Sequence, residues 1–176
     1  MAVAKRASKA MRVREELAGY SGVSRLWRAS TTSRRTDALL LDTHAWLWTV
    51  EGIAGSMSRG ALALVERAAA DRRLYVSDVS HWEVALKVAK RKLDLASDPV
   101  LWLARAAQAP GIQSLPLSRD VLIQSTMLPG SPHGDPADRM LIAQALLGGM
   151  SLLTCDTAII GYAEQQPGVP VCDARG

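Results

Sequence analysis

From residue 38 onward the chain alternates short apolar runs with longer segments of helical periodicity. Ala38-Leu39-Leu40-Leu41 is an unbroken apolar run that ends on Asp42 and leads into a helix-like segment, 43–50. Ser58 stands where an N-cap belongs, ahead of a helix predicted over 59–71 with Leu62, Val65, Ala69 and Leu64 along its inner face. A second strand is predicted at 74–77 and feeds a helix over 79–90. Asp98-Pro99 opens a further helix reaching Gln108, with proline at the favoured first position. A third strand at 111–115 precedes a helix that Ser118 can cap and that ends near Met127. Asp135-Pro136 starts a helix to Leu147, stopped by Gly148-Gly149. A fourth strand covers 151–154, and a fifth, at the sheet edge, covers 169–172. Strands alternating with helices of this length predict an α/β fold: a three-layer α/β/α domain with a mostly parallel central sheet of about five strands.

Composition adds a boundary. The chain has 176 residues, 48% hydrophobic and 22% charged, which suits one globular core. Its net charge of +4 is unevenly spread: residues 1–36 hold nine basic and two acidic groups (+7), whereas residues 37–176 hold 12 basic and 15 acidic groups (−3). The division is therefore a basic extension over 1–36, in which 4–18 has helical character, and a mildly acidic body over 37–176. The extension reads first as a disordered basic arm, with a start placed too early or an organellar presequence as alternatives. The longest charge-free stretch, 140–155, spans 16 residues and contains Gly148-Gly149, so no transmembrane helix is expected. No apolar segment of the secretory type follows the early basic residues. Two cysteines, Cys155 and Cys172, make neither a disulfide scaffold nor a Cys-type zinc site, and a reducing, cytoplasmic location is the expectation.

In open parallel sheets the functional crevice lies beyond the carboxyl ends of the strands. Asp42 and Asp156 each follow an apolar strand directly, so both are expected at that edge. Glu83 lies in the helix leaving the second strand, and Asp138 in the first turn of the helix entered at Asp135-Pro136. Four carboxylates in one crevice raise one another's pKa unless a cation joins them, and an oxygen-rich set suits Mg²⁺ or Mn²⁺. Such a centre performs phosphodiester hydrolysis. Each acid also has a plain structural alternative. Asp42, Asp156 and Asp135 can be N-caps, Asp138 can be the acid of a capping box, and Glu83 can pair with Lys87 one turn on.

The local strings shift that balance. Leu39-Leu40-Leu41-Asp42-Thr43-His44-Ala45-Trp46-Leu47-Trp48 resembles the opening motif of the PIN domain family. Val79-Ser80-His81-Trp82-Glu83-Val84-Ala85-Leu86-Lys87 is similar to the Ser-x-Trp-Glu-x-x-x-Lys segment of one bacterial branch. His133-Gly134-Asp135-Pro136-Ala137-Asp138-Arg139 and the residues to Ala145 resemble its third motif, and Leu152-Leu153-Thr154-Cys155-Asp156 its fourth. The four occur in the family's order across about residues 38–173, and the branch is that of VapC-like toxins of type II toxin–antitoxin modules. The resemblance implies a metal-dependent endoribonuclease with Asp42, Glu83 and Asp138 as metal-binding acids and Asp156 as a less uniform fourth. It also implies an RNA substrate, a homodimer and a VapB-like antitoxin, with DNA reached only through that antitoxin.

Other residues beside the acids carry candidate chemistry. Thr43 and Thr154 can orient Asp42 and Asp156 by hydrogen bonds, and both are candidates on the substrate side. Lys87, in a basic cluster with Lys90, Arg91 and Lys92, is the best-placed candidate for a phosphate contact, against ordinary placement of cations at a helix C-terminus. His44, His81 and His133 read as surface or hydrogen-bonding histidines, and none is nominated as a general base. Trp46, Trp48, Trp82 and Trp102 read as core or dimer packing. Arg139 is expected to point away from its neighbour Asp138, and Cys155 has no sequence cue for activation. A haloacid-dehalogenase-like phosphatase wants an Asp two residues after Asp42, where this chain has His44. The remaining alternative is a catalytically inactive PIN-like module that binds RNA or protein, disfavoured by the presence of all four acids.

Overall fold

The computed structural model describes residues 37–176 apart from Ala54, Ala96 and His133. The predicted arm over 1–36, with its helical stretch 4–18, lies outside the described residues. Within them, five strands alternate with seven helices: β1 (Leu39–Leu41), α1 (Thr43–Glu51), α2 (Arg59–Ala70), β2 (Leu74–Ser77), α3 (Asp78–Ala89), α4 (Pro99–Ala107), β3 (Ile112–Leu115), α5 (Arg119–Thr126), α6 (Pro136–Gly148), β4 (Ser151–Thr154), α7 (Thr157–Gln165) and β5 (Val171–Asp173). Every strand pairing is parallel, in the order β3-β2-β1-β4-β5. The expected α/β/α class is the class observed.

Strand periodicity sorts the core into two layers. Leu39 and Leu41 of β1, Leu74 and Val76 of β2 and Leu153 of β4 face one side, where Trp46, Val65 and Trp102 cover them. Leu40 and Leu152 face the other, against Leu141, Ile142 and Ala145 of α6 and Ile159 and Tyr162 of α7. Alternate side chains of a strand point to opposite faces, so a sheet covered twice needs continuous apolar runs. Leu40, Leu41, Leu152 and Leu153 are wholly buried. Each contributes about 2 kcal/mol of hydrophobic stabilisation. The centre of the sheet, from which the site projects, is therefore its most firmly held part.

Local chemistry sets the helix ends. Ser58, Asp98, Ser118 and Asp135 cap their helices as expected, each accepting a backbone N–H with its side chain. Gly52 and Gly149 close α1 and α6 in the left-handed conformation, at φ 62° and 61°. That conformation is cheap for glycine and strained for other residues. On the predicted inner face of α2, Val65 is buried and Leu64 and Ala69 pack half-buried against the core, joined by buried Ala61 and Ala68, whereas Leu62 is exposed and is the correction. Small alanines let this helix lie close to the sheet, so size misreads its face. Among the tryptophans, Trp46 and Trp102 are core residues in an edge-on contact with centroids 5.4 Å apart, Trp48 is half-buried, and Trp82 is exposed on α3. Packing among the described residues does not account for Trp82. No helix among the described residues is long and apolar enough to cross a membrane.

Candidate functional site

β1 and β4 are neighbours, with Leu41 in register with Leu153, so the residues after them emerge together at the carboxyl edge of the sheet. The Asp42 backbone N–H donates to the Leu153 carbonyl at 3.0 Å, which carries the pairing one step past the strand. Asp42 is only 3% exposed. One of its carboxylate oxygens accepts the Ala45 N–H at 2.7 Å, making Asp42 the N-cap of α1, and the other accepts the Thr154 hydroxyl. These are neutral donors, and among the described residues no Lys or Arg forms an ion pair with Asp42. Burial therefore dominates, raising the Asp42 carboxyl above its ordinary pKa of 3.8 despite the lowering effects of Ala45, Thr154 and His44.

The other acids have distinct settings. Glu83, half-buried on α3, accepts the Thr43 hydroxyl at 2.7 Å and pairs with Lys87 at 2.7 Å. Asp156 caps α7, accepting the Ala158 and Ile159 amides at 2.7 and 3.2 Å, while its own N–H donates to Thr154 Oγ1 at 3.0 Å. Asp138 is half-buried in the first turn of α6, a helix packed against α3. The pairing of threonines with acids expected from sequence is thus kept only in part. Thr154 serves the Asp42 carboxylate as well as the Asp156 backbone, and Thr43 serves Glu83 rather than its neighbour Asp42. Lys87 takes the ion-pair alternative, which leaves its ammonium at the site with two further donors.

By donor chemistry alone, the carboxylate oxygens of Asp42, Glu83, Asp138 and Asp156 suit a hard divalent cation. Asp42 is a buried carboxyl in no ion pair with a Lys or Arg among the described residues, and its oxygens retain lone pairs beyond the two hydrogen bonds they accept. A buried charge without a counter-charge is costly. No three of the four acids come within 4.8 Å of one another through their ligand atoms, however. The only three groups among the described residues that do so are Asp42, His44 and Cys155. His44 is exposed in the first turn of α1, and Cys155 is half-buried immediately after β4. Sequence reasoning passed over both, although each stands within two residues of a strand-end acid and the parallel register joins those ends. Burial, and then the Asp42 charge, push the Cys155 thiol above its ordinary pKa.

The remaining histidines are settled in part. His81 makes a 3.0 Å contact through Nδ1 with the Ser77 carbonyl and lies against the Trp46 ring, centroids 4.5 Å apart. That is the hydrogen-bonding role expected of it. His133 lies outside the described residues. Arg139 has its Nε buried without a hydrogen-bond partner among the described residues.

The chain is similar to known proteins over most of its length. The PIN domain family profile matches residues 39–165. Ribonuclease VapC22 of Mycobacterium tuberculosis is 29% identical over 130 residues, covering 73% of this chain and 95% of that relative. In fold, the chain is similar to DNA-bound VapBC from Salmonella typhimurium, with a TM-score of 0.54 and 20% identity over 77% of this chain and 97% of that one. It is also similar to VapBC2 of Rickettsia felis bound to a promoter DNA fragment, with a TM-score of 0.57 and 13% identity over 77% and 98% of the two chains.

Proposed function

Because the chain belongs to the PIN domain family, we propose that it is a metal-dependent endoribonuclease hydrolysing RNA phosphodiester bonds, the toxin of a VapBC-type toxin–antitoxin module. The observation that carries the reading is Asp42: a buried carboxylate at the carboxyl edge of the central strand, held by Thr154 and Ala45 and in no ion pair with a Lys or Arg among the described residues. The likeness to a named VapC ribonuclease over nearly its whole length supports the substrate class. The likeness to VapBC complexes supports a VapB-like antitoxin as partner, with DNA reached through that partner. The negative body charge accords with indirect DNA contact. A homodimer and a cytoplasmic location belong to the same proposal.

Asp42, Glu83, Asp138 and Asp156 would hold Mg²⁺ or Mn²⁺. The ion, when bound, activates water and stabilises charge on the attacking and leaving oxygens of the phosphodiester. The chain's own residues supply orientation and electrostatic balance. Thr154 fixes the Asp42 carboxylate while receiving the Asp156 N–H, coupling two strand ends through one hydroxyl. Thr43 fixes Glu83. Lys87 offsets the Glu83 charge, and its remaining ammonium donors would contact substrate phosphate.

The direct test is cleavage of defined RNAs with Mg²⁺ or Mn²⁺ by the full chain and by Asp138→Ala. Cleavage that needs the added cation and is lost in the variant supports the reading; metal-independent cleavage, or an unchanged rate in Asp138→Ala, refutes it. Lys87→Ala separates the two roles of that lysine. The more negative site is expected to reach half-maximal activity at lower Mg²⁺. RNA affinity is expected to fall, with the slope of log K against log salt reduced by about one. Removal of residues 1–36 is expected to leave metal-dependent cleavage intact and to weaken non-specific RNA affinity, checked by filter binding beside the cleavage assay.

A further inference from the structure

We propose that Asp42, His44 and Cys155 form a binding site for a zinc-type divalent cation that takes Asp42 out of the acidic centre and so represses the enzyme. The three groups come from three places that the β1–β4 register joins: the end of β1, the first turn of α1 and the residue after β4. A carboxylate oxygen, an imidazole nitrogen and the thiol sulfur all lie within 4.8 Å of one another. In a tetrahedral zinc site, Zn–N and Zn–O bonds of about 2.0 Å and Zn–S bonds of about 2.3 Å put ligand atoms roughly 3.3–3.7 Å apart. Side-chain rotation of the exposed His44 can close the difference, since Asp42 and Cys155 are anchored by the strand ends. Three protein ligands leave the fourth position to water, the open arrangement usual for an exchangeable ion.

Ligand chemistry selects the metal. Imidazole and thiolate favour Zn²⁺ and disfavour Mg²⁺, whereas the carboxylates of Glu83, Asp138 and Asp156 have the opposite preference. Asp42 is shared by both sets, so the two ions compete through one residue. On binding, the Cys155 S–H bond gives way to an S–metal bond and the proton goes to solvent, a loss that a coordinated cation drives even for a thiol held protonated by burial and by Asp42. Cys172, also a free thiol, belongs to β5 and is outside this group.

Binding of Zn²⁺ stands apart from the nuclease reading; repression of cleavage rests on it. The full chain, in a Cys172→Ser background, is titrated with Co²⁺ and followed in the near ultraviolet, then displaced with Zn²⁺. A thiolate-to-cobalt band that disappears in Cys155→Ser is expected. Zn²⁺ affinity is expected to fall by about tenfold or more in Cys155→Ser and in His44→Gln, as for loss of groups that hold a metal. In the cleavage assay, Zn²⁺ added over saturating Mg²⁺ should inhibit the parent, while Cys155→Ser keeps its Mg²⁺-supported rate and needs correspondingly more Zn²⁺. Absence of the band, or equal Zn²⁺ affinity in parent and Cys155→Ser, overturns the site. Zn²⁺ binding without inhibition of a working nuclease overturns the repression. A band in a protein that cleaves no RNA keeps the site and refutes the nuclease reading.

Discussion

Asp42→Asn is expected to remove RNA cleavage and, in the metal-free protein, to raise the melting temperature. The loss of rate should be roughly 10²–10³-fold or more, the scale on which removal of one preorganised charge-stabilising group acts. The gain in stability follows from burial. The Asp42 carboxyl has a raised pKa in the folded chain, so the native state holds its proton more tightly than the unfolded state does. Stability is therefore greatest below the unfolded value near 3.8 and is lost as pH rises through the folded value. The metal-free enzyme bears a growing share of that cost as pH rises above 3.8. Asparagine carries no charge, retains an acceptor for the Ala45 N–H and can donate to Thr154 Oγ1. Each ~1 kcal/mol relieved raises Tm by roughly 2–4 °C in a chain of this size. Melting curves at pH 4 and pH 7 make the comparison: the advantage of the variant should grow with pH. Added Mn²⁺ should reverse the order, because only the parent gains stability by binding it. A metal-free variant that melts below the parent at both pH values would show that the carboxylate is at ease in its pocket.

Trp46→Ala is expected to be the most damaging core substitution. Trp46 is wholly buried under the sheet, edge-on to Trp102 and 4.5 Å in centroid distance from His81. Truncating such a residue costs about 3–5 kcal/mol. Whole domains have only about 5–15 kcal/mol to lose. The urea midpoint should fall accordingly with an unchanged slope. Trp46→Phe separates packing from polarity. It keeps much of the ring while deleting an indole N–H that finds no partner among the described residues, so its cost should be far smaller. Equal losses in the two variants would assign Trp46 a role other than filling space. His81 also bears on the outcome, because it holds the start of α3 through Ser77 while resting on the indole. A cavity there would loosen the helix that carries Glu83.

The legibility of this chain in its sequence divides by range. Strand-end acids and helix caps are local facts. An apolar run followed by Asp42 or by Asp156, and Ser or Asp before an apolar helix, predicted β1, β4 and four capped helices within one or two residues. The four ordered motifs predicted the family. Facts that depend on register were out of reach. Thr43 reaches 40 residues along the chain to Glu83, and Thr154 reaches back 112 to Asp42. Neighbours in sequence suggested Asp42 for Thr43 and Asp156 for Thr154. The same limit hid the approach of His44 to Cys155, which exists only because β1 and β4 lie side by side. Leu62 misled for a different reason: hydrophobicity ranks leucine above alanine, but a helix seated closely on a sheet turns its smallest face inward.

Asp42 and Asp156 each start a helix with the same carboxyl group that the proposed chemistry uses. This double employment shapes how such a protein can change over generations. Asparagine or serine at either position would still cap its helix, so cleavage can be lost in one step with folding intact. Alanine at the same positions also removes a cap, a further ~1 kcal/mol for each helix. Silenced descendants of this chain should therefore keep small polar residues at 42 and 156, a trace that marks the former position of the acids.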